Sequence, residues 1–488
     1  MKILFVNWAP VWHGAEVGGG VNLYSQSMAT ALSEKGHDVY TVSSGFIYDL
    51  KRRVFVRKTK PYGGIENFEI VNSPIMAPAF FNFLYPDKET DCPPVERCFR
   101  ELIADLGPDV VHFQNIEGFS AACIDIAAHC GARVFYSLHN YHLVCSQVGL
   151  LFQGKKICED FLDGRRCLAC AVPFPRDIEW RMRQAKTFLE TAMPMGDRIW
   201  IRLMQMFSIV TNMARQCKSI LFANAHPLQR YALKDNRCRT RDYAIRRDRM
   251  IAAINRTDGV LAVSRFVKDL FVDMGLHPDI VRVNHIGNKM ADRPLPDPMV
   301  PGPARLPLKL IFLGVADDLK GLPFLLKTLC GMSAGFLGNL ELHVHARGIR
   351  HGVKTNGILS EQIHILDDRL SALYISDGYR FDELPSILKG KDMGVVPPIW
   401  YDNAPQVVFE MLSLGVPVLG ARIGGIPDFV RHGENGMLFE PGSVDDLSRS
   451  LKSIVADPGL IDSFKRGIKP MKTIAAHLDD LEALYGGG

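Results

Sequence analysis

The chain has 488 residues, of which 47% are apolar and 23% charged, with a formal net charge of +4. That length predicts two domains, the composition is that of a globular protein, and so small a charge excess gives no reason to expect a nucleic-acid partner. There is no run of eighteen apolar residues to suggest a membrane span. The opening Met1-Lys2-Ile3-Leu4-Phe5-Val6 runs straight into a strand pattern with no signal-peptide cleavage region. Eleven cysteines in such a chain predict a reducing, cytoplasmic setting, with thiols or metal ligands rather than a disulfide framework.

Alternating apolar runs and helical periods predict an α/β protein with parallel sheets. The first half offers strands at 3–7, 38–42, 110–113, 134–138 and 260–263. After the first of these comes Gly18-Gly19-Gly20 ahead of a helical run. Glycines there let backbone approach a ligand closely at a helix start, although a flexible surface turn has the same composition. His139 closes the strand pattern at 134–138, where it can hydrogen-bond a ligand or serve a purely structural role.

Cys145, Cys158, Cys167 and Cys170 follow with spacing C-x12-C-x8-C-x2-C. Four thiolates suit a closed, structural tetrahedral zinc site, yet the spacing matches no standard finger; free thiols, disulfides and an iron–sulfur cluster stay open. From 176 to 250 the chain is basic and interleaved with Trp180, Trp200, Met204, Met206 and Phe207. Such a segment suits either an anionic membrane surface or a helical insertion packed on the first domain. The proline-rich stretch from Arg293 to Pro303 is the best linker candidate.

The second half restarts with strands at 308–314, 342–346, 373–375, 394–396 and 418–421. Two doubly wound domains would place a ligand cleft between them, at the carboxyl ends of the strands. Lys320-Gly321 precedes a helix, and an ammonium there is a sensible partner for a diphosphate; a solvated surface lysine is the alternative. Tyr379 and Arg380 lie just past the strand at 373–375, at the edge where a ligand would be met. The strand at 394–396 then leads through prolines to Tyr401-Asp402-Asn403-Ala404-Pro405-Gln406, and a helix opens near Pro405, with that proline suited to its first turn. The free N–H groups of the turn favour an anionic or hydroxyl-rich ligand. Asp402 before the helix and Glu410, eight residues later, can grip two sets of hydroxyls on one ligand, as sugars and riboses present them. The plainer reading is a capping Asp and a helix-surface Glu.

Asp402, Glu410, Gly415-Val416-Pro417 and Gly424-Gly425-Ile426-Pro427-Asp428 fall in one register over about thirty residues. This order resembles the donor-sugar motif of the retaining glycosyltransferases of family 4, which have the GT-B fold: two doubly wound Rossmann-like domains facing across a cleft. The first acid of the motif is usually Glu, so Asp402 is one methylene short. Lys320-Gly321 matches the family pattern, while Val315 stands where an Arg is frequent. Val263-Ser264-Arg265-Phe266 is similar to a stretch that marks the fold.

The resemblance implies an acceptor-side domain over 1–295, with a Cys-rich and basic insertion at about 145–250. It implies a nucleotide-sugar domain over 304–461 and a helix at 462–488 crossing back to the first domain. It also implies transfer of a hexose from a nucleoside diphosphate sugar to a glycan or lipid-linked hydroxyl, without a catalytic cofactor, in surface polysaccharide or glycolipid assembly at the inner face of the membrane. Glu410 would hold the ribose hydroxyls. Asp402 and the backbone around Asn403, Ala404, Pro405 and Gln406 would hold the sugar. Lys320 would face the leaving diphosphate, His139 would stand near the donor, and the loop Gly18-Gly19-Gly20 would meet phosphate or acceptor. A nucleotide-sugar epimerase and a non-catalytic sugar-nucleotide-binding protein remain rival readings.

Overall fold

The computed structural model describes residues 1–170, 176–192, 199–200, 202, 204, 239–293 and 305–487. The described chain forms two compact units: Met1–Leu261 with Phe271–Arg282, and Ala262–Leu270 with Val283–Gly488. The proline-rich linker candidate falls almost wholly outside the described residues, Arg293 excepted.

The strands of the first half are β1 (Lys2–Val6), β2 (Asp38–Ser44), β3 (Phe55–Tyr62), β4 (Ile65–Val71), β5 (Val110–Phe113), β6 (Arg133–Leu138), β7 (Leu151–Phe152), β8 (Lys156–Ile157), β9 (Gly259–Ala262) and β10 (Val281–Val283). All but β7 and β8 join one sheet in the order β10-β9-β6-β5-β1-β2-β4-β3. Its central strands are continuous apolar runs, with β5 and nearly all of β1 and β6 buried, as strands covered on both faces must be. The parallel sheet expected from the sequence is present, with one antiparallel edge. There β3 runs antiparallel to β4 through a Gly63-Gly64 turn, both glycines at positive φ. A second antiparallel pair, β7–β8, lies in the Cys-rich segment.

The second unit carries β11 (Leu308–Val315), β12 (Leu340–Arg347), β13 (Ala372–Ser376), β14 (Met393–Val396), β15 (Val418–Ala421) and β16 (Gly436–Phe439). Their order, β13-β12-β11-β14-β15-β16, is the 3-2-1-4-5-6 winding of dinucleotide-binding domains, and every neighbouring pair is parallel. In that winding the chain reverses direction across the sheet between β11 and β14, and the crevice at their carboxyl ends is where ligands bind.

The domain bounds expected from sequence differ from these units. Residues 284–292 belong to the second unit because the C-terminal segment packs on them. The Asn288 N–H donates to the Lys472 carbonyl at 3.0 Å, Lys472 Nζ donates to Asn284 Oδ1 at 2.6 Å, and Asp292 Oδ1 accepts the Ile474 N–H at 2.9 Å. A methyl at Gly287 would stand 2.5 Å from the Thr473 carbonyl oxygen, so this approach needs glycine. The last helix, Ile474–Gly486, is therefore part of the second unit.

Candidate functional site

In the second unit, β14 ends in prolines and the chain turns through Trp400, Tyr401 and Asp402 into the helix Gln406–Ser413. Pro405 is the residue before the helix, with extended ψ, rather than part of its first turn as expected. Glu410 lies in the second turn, buried at 6% exposure, on a helix that meets β14 where Gly394 leaves room for the Met411 sulfur. Its Oε2 is buried and has no hydrogen-bond partner. Burial pushes its carboxyl up to about 7, and the same carboxyl in turn raises the Tyr379 phenol, which burial has already lifted. A buried acid without a partner is costly to the fold, so it stands ready for hydroxyl donors from elsewhere. The plainer reading of Glu410 as a helix-surface residue is excluded by its burial.

Asp402 is buried too, and its Oδ2 accepts from Lys320 Nζ at 2.5 Å. That ammonium also sits 5.4 Å from the centre of the Trp400 ring, while the Trp400 Nε1–H is buried without a partner. Lys320 enters from the turn after β11, where Asp317 Oδ1 accepts its backbone N–H at 2.7 Å. Gly321 makes this turn: φ is +79°, and an added methyl would lie 1.8 Å from the Pro397 carbonyl oxygen. The Gly424-Gly425 turn has a matching reason. A methyl on Gly424 would stand 2.3 Å from the Asp402 oxygen, one on Gly425 2.0 Å from the Asn403 oxygen, and the Gly425 N–H donates to Asp402 O at 2.8 Å. Both pairs of sequence signals, Lys320-Gly321 and Gly424-Gly425, thus converge on the Asp402 loop. Asp428 completes the frame by accepting from the Arg265 N–H at 2.6 Å and lying 3.1 Å from His285 Nε2.

Tyr379 and Arg380 part company. Tyr379 faces Glu410, whereas the exposed Arg380 guanidinium turns back on Asp382 at 3.1 Å. Trp400 carried no signal in the sequence beyond its place in the loop.

In the first unit, Gly18 (φ +85°) and Gly19 (φ +59°) bring the chain into the helix Gly19–Glu34, which also contains Gly20. Asn22, one turn in, ties the loop down by donating to the carbonyls of Pro10 (3.0 Å) and Gly14 (2.9 Å) and accepting from Asn7 (2.9 Å). His139 stands at the end of β6, its ring 4.8 Å from that of Tyr24 and its Nε2 3.0 Å from Gln114 Oε1. Burial pulls its pKa down to about 3, so the imidazole is neutral. Gln114 was not anticipated, although it follows β5 as His139 follows β6, at the carboxyl edge where the winding rule places ligands.

The loop after His139 is clamped from behind. The fully buried Arg246 donates to the carbonyls of His142 (2.8 Å) and Leu143 (3.3 Å) and pairs with Glu89. Burial alone would raise Glu89, but Arg246 and His142 hold it at about 2.

Cys145, Cys158, Cys167 and Cys170 are free thiols, and burial pushes the thiols of Cys145, Cys167 and Cys170 up, with the neighbouring sulfurs adding to the rise. Cys170 packs with Phe83 and Tyr243, and its sulfur accepts the Gln153 N–H at 3.1 Å. Among the described residues no group of three or more His, Cys, Asp or Glu side chains is placed to hold a metal ion. A zinc would require these thiols to draw in. The basic helix Arg176–Ala192 packs inward: Arg183 donates to the carbonyls of Gly45 (2.9 Å) and Ala77 (2.7 Å), and the Trp180 ring lies 4.2 Å from that of Tyr48. Trp200 and Met204 are helical, whereas Met206 and Phe207 lie outside the described residues. Among those residues no helix is long and apolar enough to cross a membrane.

Two doubly wound units are the architecture of the GT-B class. The whole chain is similar to sucrose-phosphate synthase from Thermosynechococcus elongatus (TM-score 0.58, 15% identity, 100% of this chain and 98% of that one). It is likewise similar to Anabaena HepE solved with UDP and glucose (TM-score 0.55, 14% identity, 100% of both chains). At such identities the likeness shows the fold. The model described as Glycosyltransferase Family 4 matches residues 18–159, and that described as Glycosyl transferases group 1 matches 375–470. Both descriptions are of glycosyltransferases, and each match covers less than half of the chain. Sulfoquinovosyl transferase SQD2 of Arabidopsis thaliana is 38% identical over 79 residues, which is 16% of this chain and only 15% of that protein.

Proposed function

We propose that the chain transfers a hexose from a nucleoside diphosphate sugar to a hydroxyl acceptor with retention of configuration. The observation that carries this reading is the buried, partnerless Glu410 oxygen beside the reversal point of the second sheet. Glu410 accepts from the ribose hydroxyls, while Asp402 and the backbone of Asn403, Ala404, Pro405 and Gln406 orient the sugar. Lys320 shifts between Asp402 and the departing diphosphate, where negative charge grows as the anomeric C–O bond breaks. His139, held neutral, offers a hydrogen bond rather than a charge, and the turn at Gly18, Gly19 and Gly20 presents backbone to ligand. The proton of the acceptor hydroxyl leaves with the released diphosphate, and no carboxylate is assigned as a covalent nucleophile.

Support for a nucleotide donor comes from HepE, which was captured with UDP and glucose. A glycan or lipid-linked acceptor at the inner membrane face, in polysaccharide or glycolipid assembly, belongs to this reading, although the described helix Arg176–Ala192 packs inward and lends it no support. A structural zinc on the four thiols is a separate proposal: metal analysis of protein purified without chelator should find about one equivalent, and Cys167→Ala should release it.

The function is tested by offering UDP-, GDP- and ADP-sugars with and without simple glycoside acceptors and following nucleoside diphosphate release and product anomer by NMR. Release from one donor with a retained anomer is expected. Conversion of the nucleotide sugar without acceptor would instead make the protein an epimerase, and binding with neither transfer nor hydrolysis would make it a sensor.

A further inference from the structure

A leaving diphosphate carries several negative charges, and the one lysine assigned to it is already engaged by Asp402 at 2.5 Å. Val315, the last residue of β11, adds no charge. Its partner in the β11–β12 ladder is Arg347, the last residue of β12. Residues paired in a parallel ladder project to the same face, and adjacent strands lie only about 4.8 Å apart. An arginine on β12 therefore rises beside the place where β11 is uncharged, within easy reach of its own side chain. The residue is exposed, and among the described residues no hydrogen bond or ion pair holds its guanidinium.

The main chain of Arg347, by contrast, is fixed. Its carbonyl accepts the Ala316 N–H at 3.0 Å, which ties it to the same turn that delivers Lys320. Gly378, at φ +87°, lies beside it, where a methyl would be in ordinary contact with the Arg347 Cβ at 3.5 Å. A fixed backbone with an uncommitted planar cation, at the carboxyl edge of a nucleotide-type sheet, suits a ligand with paired phosphate oxygens.

We propose that Arg347 is the second cation of the donor site and binds the diphosphate from the neighbouring strand. This rests on the donor reading above. The test compares UDP, GDP and ADP with uridine, guanosine and adenosine by calorimetric titration. Arg347→Ala should weaken the preferred diphosphate roughly tenfold to a hundredfold and leave its nucleoside unchanged. Arg347→Lys should recover part of the loss. Val315→Arg placed in the Arg347→Ala background should recover most of it, because the two positions are ladder partners. Undiminished diphosphate affinity, or equal loss for nucleoside and diphosphate, overturns the assignment while leaving the donor site standing. A wild-type protein that binds none of the three diphosphates overturns both.

Discussion

Glu69 in the first unit and Glu410 in the second are both buried acids that burial lifts to about 7, yet they are finished differently. Glu69 accepts from the Ser43 hydroxyl and from the Ile47 N–H at 3.3 Å. Glu410 leaves one oxygen with no partner, and in the same unit the Trp400 N–H is likewise buried without one. The partners of the first acid are supplied by the fold, whereas the open oxygen of the second is left for a donor from elsewhere. The open atoms of Gln114 and Glu410 differ in kind: in the first unit Gln114 leaves a buried donor, Nε2, without a partner, while in the second unit Glu410 leaves an acceptor open.

Exchanging each acid for its amide should expose this difference. Glu410→Gln is expected to lower sugar transfer by about a hundredfold while leaving the fold as stable or more so, since no partner is lost. Glu69→Gln should do the reverse, costing about 1–3 kcal/mol in urea unfolding with transfer within about threefold of wild type. Equal effects of the two changes on transfer would erase the distinction.

The two acids also set a pH dependence. Each takes up its proton more readily in the folded than in the unfolded chain, so its contribution is full below about 4.5 and is lost as pH rises through about 7. The loss is up to about 3 kcal/mol for each. Glu410→Gln should remove its share of that decline. Nucleotide hydroxyls favour the carboxylate, so donor affinity should rise from pH 5.5 to 8 in the wild type and stay flat in Glu410→Gln. A flat wild-type profile would mean that ligand hydroxyls do not reach this oxygen.

Within the second unit, Gly425→Ala forces a methyl to 2.0 Å from the Asn403 oxygen and should cost about 2 kcal/mol along with much of the activity. Gly335→Ala meets nothing within 4 Å and should be neutral or slightly stabilising in thermal melts. The smallest effect is expected from His139. With its pKa near 3, the pH profile of transfer should show no step from this residue around 6.5, and His139→Gln should lower transfer only several-fold. A step near 6.5 that vanishes in the variant would show a charged, exposed imidazole instead.

Much of this was legible beforehand, because the evidence for it is local. Continuous apolar runs gave the central strands, and Lys320-Gly321, Asp402, Glu410 and Gly424-Gly425 are spaced by their own turns. The reason for each glycine was not legible, since the Asp402 and Asn403 carbonyls that exclude a side chain come from a distant part of the chain. The β3–β4 edge was missed because β3 is largely exposed and charged, and two of the buried positions of β4 are polar, Asn67 and Glu69. The linker was placed by proline content, whereas membership of a unit follows from packing such as that of Gly287 on Thr473. Gln114 and the Arg246 clamp are assembled by tertiary contacts with no local signature.

The most direct measurement compares the nucleoside diphosphate that binds best with its 2′,3′-dideoxy counterpart, in wild type and in Glu410→Ala. If the open oxygen of Glu410 receives the ribose, wild type should prefer the ribose form by about tenfold or more and the variant should show no preference. A preference that survives intact in Glu410→Ala would contradict the assignment of this acid.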